Sequence, residues 1–327
     1  MGTRRPRWDE LLPYAVRAPS SHNTQPWLFR AAEDGRLRVY ADRSRALPVV
    51  DPDGRELVMS CGAALAHLCV ALRGLGHDAE VSTFPDPGDA DLLAIVAGGG
   101  RHTPDAGDRE LFQAIETRRT HRAEFAAGPV APRSLALLRT EAESAGADLT
   151  VVTGEERQDI VTLVGEGDRV QFGDSAFRRE LAAWMRPNHT RRRDGIRGDA
   201  MGLGAVTSLV APTIVATFDT GGRQATKDQR LAQASPALLV LSTAGDAPAD
   251  WLSAGQAVAL LLLRATAEGL GASFLNQPIE VPVLRDRLRT RLGGDTHPQL
   301  LLRVGRASTG AGSLRRPVAD VLAQRGR

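Results

Sequence analysis

A stretch in the middle of the first third of the chain occurs twice. CGAALAHLCVALRGLGHDAEV (residues 61–81) resembles AGQAVALLLLRATAEGLGASF (residues 254–274). Both begin Gly-x-Ala-x-Ala, at Gly62, Ala64, Ala66 and at Gly255, Ala257, Ala259, and both end Gly-Leu-Gly. The apolar residues between have helical spacing, and the small residues along one edge let two helix backbones approach closely. The closing glycine suits a left-handed C-cap. The flanks repeat too. LRVYAD (37–42) and ALLVLS (237–242) read as strands before the helices, and DLLAIVAGG (91–99) and QLLLRVGRA (299–307) as strands after them. Each half is strand, central helix, strand with further helices around it. This predicts an internally duplicated α+β fold with central sheets of antiparallel type flanked by helices. GGGRHTPDAGD (98–108) is the expected joint, giving halves of 1–106 and 107–327.

The halves differ in size. Between Leu181 and Ser235 the second carries an insertion that includes WMRPNHTRRRDGIRGDAMGLGAV. A long irregular segment in a compact domain reads as a lid or as disorder, and a lid over about 184–235 is the expectation here. Its Arg191, Arg192 and Arg193 read as a solvated turn.

Composition narrows the function classes. In 327 residues, 42% hydrophobic and 24% charged, basic and acidic groups nearly cancel to +2. That gives no argument for a nucleic-acid partner. Cys61 and Cys69, eight apart in one apolar stretch, read as small buried hydrophobes. The N-terminal residues lack the apolar core of a secretory leader. VALLLLRATAEGLG is too short and too interrupted by charge to span a membrane. A cytoplasmic protein without a membrane partner is expected.

Three short stretches carry chemistry. APSSHNTQPW (18–27) places five polar side chains in six positions after an apolar helical segment, with Pro19 expected to end the helix. It reads either as a turn that bonds its own backbone or as a rigid loop presenting hydroxyls and amides to a planar polar ligand. RELFQAIETRRTHRAEF (109–125) sets Arg118, Arg119, Thr120 and Arg122 near the end of an amphipathic helix. Guanidiniums so spaced suit a dianionic phosphate, although a basic helix end is commonly a solvated face. GSLRRPVADVL, near the C-terminus, adds Arg315 and Arg316. No Gly-x-Ser-x-Gly elbow, HExxH zinc spacing or dinucleotide fingerprint is present.

Together these stretches resemble the FMN-dependent nitroreductase superfamily, whose members carry Arg-Arg-Ser-x-Arg, Pro-Ser-Ser-x-Asn-x-Gln-Pro-Trp and a C-terminal Arg-x-Pro. Here they stand as RRTHR, PSSHNTQPW and RRP. In that family two identical subunits intertwine and each FMN lies across their interface. In this chain the Pro-Ser-Ser loop occurs only in the first half and Arg-Arg-Thr-x-Arg only in the second. The arrangement resembles the Acg-type flavoproteins of actinobacteria, single-chain pseudo-dimers of the fold, and implies one complete flavin site.

The resemblance assigns the FMN phosphate to Arg118, Arg119, Thr120 and Arg315, with Arg316 as a helper. It sets Arg122 at the N1–O2 edge of the ring, where a fixed cation raises the reduction potential. Pro19, Ser20, Ser21 and Asn23 would line the ring and ribityl chain. Pro278, Ile279 and Glu280, in LNQPIEVP, would bring backbone N–H groups to N5, and Arg230 would stand at a ring edge. Thr120 replaces the usual Ser and keeps the hydroxyl; His22 occupies a variable position. The implied activity is transfer from NAD(P)H to a small electron-poor acceptor, a nitroaromatic or a quinone. The alternative is a protein that stores or sequesters FMN behind the lid. Fusion already supplies the family's dimer interface, so both a monomer and a homodimer remain open.

Overall fold

Two repeats predict two sheets, and two four-stranded sheets organise the computed structural model, which describes residues 6–307 and 312–323. The chain begins with α1 (Trp8–Ala15), β1 (Trp27–Ala31), β2 (Leu37–Ala41), α2 (Arg55–Gly74), β3 (His77–Thr83) and β4 (Leu92–Arg101). There follow α3 (Ala106–Thr117), α4 (Pro132–Ser144), β5 (Asp148–Val152), α5 (Gly154–Gly173) and α6 (Ser175–Trp184). Two-residue strands β6 (Met185–Arg186) and β7 (Ile196–Arg197) precede α7 (Ala205–Thr217) and α8 (Gly221–Ala234). The last third runs β8 (Ala237–Thr243), α9 (Pro248–Ala267), β9 (Leu270–Phe274), α10 (Gln277–Glu280), α11 (Pro282–Arg291), β10 (His297–Arg306) and α12 (Val318–Val321).

The sheet orders β1-β2-β4-β3 and β5-β8-β10-β9 are one order written twice, with all neighbours antiparallel. Each sheet places its central helix, α2 or α9, between its second and third strands in the chain. The two helices are twenty residues each and cross backbone to backbone. A Cβ on Gly62 would overlap the carbonyl oxygen of Leu252, and one on Gly255 that of Met59. Each glycine thus meets the carbonyl three residues before its counterpart, as a local two-fold axis requires. The left-handed glycines after the helices are Gly76 (φ +89°) and Gly269 (φ +70°), separated by the same interval as Gly62 and Gly255. The two Gly-Leu-Gly stretches are therefore two residues out of register, although they align by eye. Among the described residues α2 is the one helix long and apolar enough to cross a membrane; it lies buried at the centre of the fold.

The sheets differ in what covers them. LRVYA of β2 alternates, with Leu37, Val39 and Ala41 buried against α1 and α2. ALLVLST of β8 is buried throughout. Leu239 and Leu241 pack towards α4 and α9, whereas Leu238 and Val240 pack towards α5 and α11. The extra layer comes from α5, inserted between β5 and β8, and from α11, between β9 and β10.

Three expectations are corrected here. α1 ends at Ala15, four residues before Pro19, and contains Pro13; residues 17 and 18 continue as turns bonded to Tyr14 and Ala15. Gly98 to Arg101 belong to β4 and pair with β3, so the joint shrinks to 102–105. Asp105 then caps α3, accepting from Asp108 N at 2.8 Å while the Asp108 carboxylate accepts from Asp105 N. Finally, 184–235 is largely regular. α8 buries Ala225, Asp228, Leu231 and Ala232 on one helical face, and α7 is apolar enough to pack on α6. The stretches 187–195, 198–204 and 218–220 are mainly turn and loop.

Candidate functional site

The loop after α1 is held in an unfavourable backbone conformation. His22, Asn23 and Gln25 have φ of +49°, +54° and +54°, each disfavoured for a residue with a Cβ by on the order of 1 kcal/mol. The network around them explains how the shape persists. Ser20 Oγ accepts from Gln25 N at 3.0 Å, and Ser21 Oγ donates to the buried carboxylate of Glu56. Asn23 Nδ2 donates to Gly195 O (3.0 Å) and Leu314 O (3.2 Å), while its Oδ1 accepts from Arg315 Nη1 (3.1 Å). Gln25 Nε2 donates to Arg193 O at 2.8 Å, and its Oε1 accepts from Arg316 N at 2.7 Å. The loop therefore ties together the segment after α6 and the segment before α12.

Beside it gathers a cluster of guanidiniums. Arg118, the C-cap of α3, is 4% exposed; Nη2 reaches Arg17 O at 3.4 Å, but Nε and Nη1 have no partner. Burial, then Arg119 and Arg122, push its pKa down to about 10. Burial and Arg118, Arg119, Arg17 and Arg122 push Arg315 down to about 9. Arg315 Nε donates to Ala18 O at 3.2 Å. His67 of α2, held neutral by burial and then by Arg118, leaves Nε2 unpartnered in the same region. Buried guanidinium donors are costly without an anion, so this cluster has the donor set of an anion site. Its position is fixed by β9: Thr120 bridges to Ala272, and His121 N donates to Ala272 O at 2.9 Å.

A cavity of about 340 Å³ lies beside the loop and the arginines. Pro19, Ser20, Ser21, His22 and Asn23 line it, as do Thr120, Arg122, Glu280 and Arg315. Arg118 and Arg119 are not among the lining residues. Arg119 Nη1 donates to Glu116 O and Arg118 O. Arg316 is turned to the loop, with Nη1 on Gln25 O (3.1 Å) and Nη2 on Asp320 O (2.7 Å). Arg230 is exposed and pairs with Glu124 at 3.1 Å, away from the lining. Pro278 and Ile279 are buried outside the lining. The backbone N–H groups of Ile279 and Glu280 both donate to Asn276 O, closing the turn of α10. Asn276, Gln277 and Glu280 line the cavity.

The remaining wall is acidic and aromatic. Glu280 is held well above the usual carboxyl range, first by burial and then by Glu56, and accepts from Gln171 Nε2. Asp168 and Asp228 complete this side with Gln171, Gln224, Phe172, Phe177 and Leu181. Of 184–235, Ile196, Gln224 and Asp228 reach the lining. Asp168 and Asp228 were not among the candidates from sequence, yet Asp168 has a readable signal. In IVTLVGEGDRVQF it shares the face of Ile160, Val161 and Val164, where a charge is out of place. Arg17 adjoins the polar loop directly and could have been included with it.

The family profile described as "Nitroreductase family" matches residues 115–306. Rv3131 of Mycobacterium tuberculosis, provisionally named an NAD(P)H nitroreductase, is 36% identical over 309 residues, 93% of this chain and 86% of its own length. The chain belongs to the nitroreductase family. The acg protein of the same organism, provisionally named likewise, is 31% identical over 299 residues, 90% of this chain and 87% of its own. Among solved structures, the FMN- and NADPH-dependent nitroreductase NfnB of a Sphigopyxis species aligns at 22% identity and a TM-score of 0.44. The alignment covers 66% of this chain and 99% of that one. NfnB of Mycobacterium smegmatis, solved with NADPH, aligns at 17% identity and TM-score 0.43, covering 67% and 99%. The profile match begins just before Arg118 and excludes the polar loop at 19–25, so this nitroreductase carries half of its candidate site outside the matched region.

Proposed function

We propose that this nitroreductase-family chain is an FMN-dependent oxidoreductase that takes electrons from NADH or NADPH and delivers them to a small electron-poor acceptor, a nitroaromatic or a quinone. In this reading one FMN lies between the halves 1–106 and 107–327. The observation that carries the reading is the buried guanidinium of Arg118, whose Nε and Nη1 have no partner, among Arg17, Arg119, Arg122 and Arg315. That donor set fits a phosphate monoester dianion. Bound there, FMN would supply hydride acceptance at N5 and onward transfer.

The protein's own part is to bind and orient. Arg118, Arg119, Thr120 and Arg315 hold the phosphate end, with Arg316 and Gln25 bracing the loop beneath it. Ser20, Ser21 and Asn23 present a rigid polar edge fixed by Glu56 and Gly195. Arg122, exposed at the cavity lining, supplies positive charge for an electron-rich ring edge. The donor and the acceptor would use the remaining cavity in turn.

A second reading, FMN sequestration, draws on the 184–235 segment. Its backbone is bonded to the polar loop through Arg193 O and Gly195 O, and Ile196, Gln224 and Asp228 contribute to the wall. A segment so anchored would restrict entry of a nicotinamide.

The test is a visible spectrum of the purified protein, then anaerobic addition of NADPH or NADH. The oxidoreductase reading expects one FMN per chain that bleaches with a nicotinamide. Bleaching with dithionite alone would favour sequestration, and failure to take up FMN would end both readings.

A further inference from the structure

Buried polar atoms without partners stand on both sides of this site. On the Arg118 side they include two guanidinium donors, Arg118 Nε and Nη1. On the wall built by α5, α8 and α10 they are acceptors, Asp168 Oδ2 and Gln277 Oε1. Asp168 is 1% exposed and lines the cavity. Its Oδ1 accepts from Gln277 Nε2 at 3.2 Å; its Oδ2 has no partner. The same Nε2 donates to Asp228 Oδ2 at 2.8 Å, and that oxygen also accepts from Gln224 Nε2 at 2.9 Å. Both hydrogens of the Gln277 amide are thus committed, and its Oε1 is left unpartnered. Two buried acceptors in one wall therefore stand without a donor, where such atoms ordinarily find one.

We propose that this wall is a subsite for an aromatic ligand bearing a protonated amine or amidine, whose N–H groups fill Asp168 Oδ2 and Gln277 Oε1. The geometry selects the class. An anionic or purely acceptor-bearing ligand would leave both oxygens unpaired and face the Asp228 carboxyl as well. Phe172 and Phe177, in edge contact with ring centroids 5.6 Å apart, line the same cavity and suit an aromatic body. Burial and then Asp228 push Asp168 up to about 8, so the wall without a ligand holds a proton that an arriving cation replaces. The subsite deepens the oxidoreductase reading by naming its acceptor class, an electron-poor aromatic carrying a cationic nitrogen. It rests on that reading for turnover and not for binding.

The experiment is calorimetric titration of the FMN-loaded protein with benzamidinium and with benzoate, which share a ring and differ in charge and in hydrogen-bonding role. Wild type is expected to bind benzamidinium at least tenfold more tightly. Asp168→Leu, similar in size and apolar, should remove that preference while FMN content and visible spectrum stay unchanged. Asp168→Asn keeps the shape and loses the charge; it should lower benzamidinium affinity about tenfold, and it decides the matter should the leucine variant not fold. Equal binding of the two ions by wild type would overturn the subsite. So would loss of FMN together with benzamidinium in the variants, since the carboxyl would then serve the flavin. A protein that takes up no FMN yet still prefers benzamidinium would keep the subsite and remove the flavin reading alone.

Discussion

At the crossing of α2 and α9 the two halves of this nitroreductase meet as equals. Gly62 lies on Leu252 O and Gly255 on Met59 O, the same contact made twice. Around the cavity the equivalence is gone. The strained polar loop precedes β1 and the arginine segment follows α3. The acidic wall is built largely between β5 and β8, where the first sheet has only residues 32–36 between β1 and β2. The difference follows from what each region requires. A two-fold seam is closed only when both copies keep their small residues. A site across that seam takes one element from each half, so the opposite elements are released to diverge once the halves are fused.

The seam is where the comparison breaks most visibly. Gly62→Ala and Gly255→Ala each place a methyl group against a backbone carbonyl that cannot rotate away, so the helices must separate. Each is expected to cost about 3 kcal/mol, at the upper end of overpacking effects. Because the contact is isologous, the two losses should agree within about 0.5 kcal/mol, measured by urea unfolding at one pH. Unequal losses would show that the seam, too, has drifted from symmetry.

The arginine cluster should respond with opposite signs in its two states. Arg118 is buried with two nitrogens unpartnered, so Arg118→Met should stabilise the protein freed of flavin by about 1 kcal/mol. The double variant Arg118→Ala, Arg315→Ala should weaken FMN binding by about 3 kcal/mol, roughly a hundredfold, because charge-assisted contacts are the strong ones. Thermal unfolding with and without added FMN reads both effects. A double variant that purifies with full flavin occupancy would place the phosphate elsewhere.

What could be read in advance follows the same division. The duplicated helices, the strands beside them and the antiparallel sheets were legible because periodicity and small-residue spacing report local geometry and helix packing directly. Pro19, Ser20, Ser21, Asn23, Thr120, Arg122, Glu280 and Arg315 were identified as candidates and line one cavity. Arg230 fell away from it because a basic residue on α8 has a nearer partner in Glu124, which spacing cannot reveal. Ile279 and Glu280 were singled out for their N–H groups, but a four-residue helix turns those donors onto Asn276 O. Asp228 escaped notice because it lies in an otherwise ordinary helix, and the out-of-place charge of Asp168 on the apolar face of α5 does not by itself name a partner. Only the pairing of α5 with α8 brings the two carboxyls to one glutamine.

That pair makes the acidic wall sensitive to pH. Asp168 is raised to about 8 in the folded protein against about 4 in an unfolded chain, and burial raises Asp228 and Glu280 as well. Between these values the folded state holds more protons, so stability is greatest below pH 4 as far as Asp168 is concerned. It declines as pH rises towards 8, by at most about 1.4 kcal/mol per unit. Asp168→Asn should flatten the decline between pH 5 and 8, with Asp228 and Glu280 leaving a residual slope. Urea midpoints at four pH values test this, and identical slopes in the two proteins would assign the proton elsewhere.

The smallest effect marks where the asymmetric site ends. Arg230 belongs to α8, the helix that contributes Gln224 and Asp228 to the wall, yet its side chain is 70% exposed and its partner Glu124 is 56% exposed. Solvent-exposed pairs of this kind contribute little. Arg230→Ala should change stability by less than about 0.5 kcal/mol and leave FMN affinity within twofold of wild type. Asp228→Asn, two residues earlier on the same helix, alters the hydrogen bonds to Gln277 and Gln224 and should shift the benzamidinium preference. Measured side by side, these variants ask whether about half a helix turn separates a residue of the wall from one of the surface. A loss of FMN affinity on removing Arg230 would extend the site across α8 and bring its guanidinium back towards the flavin.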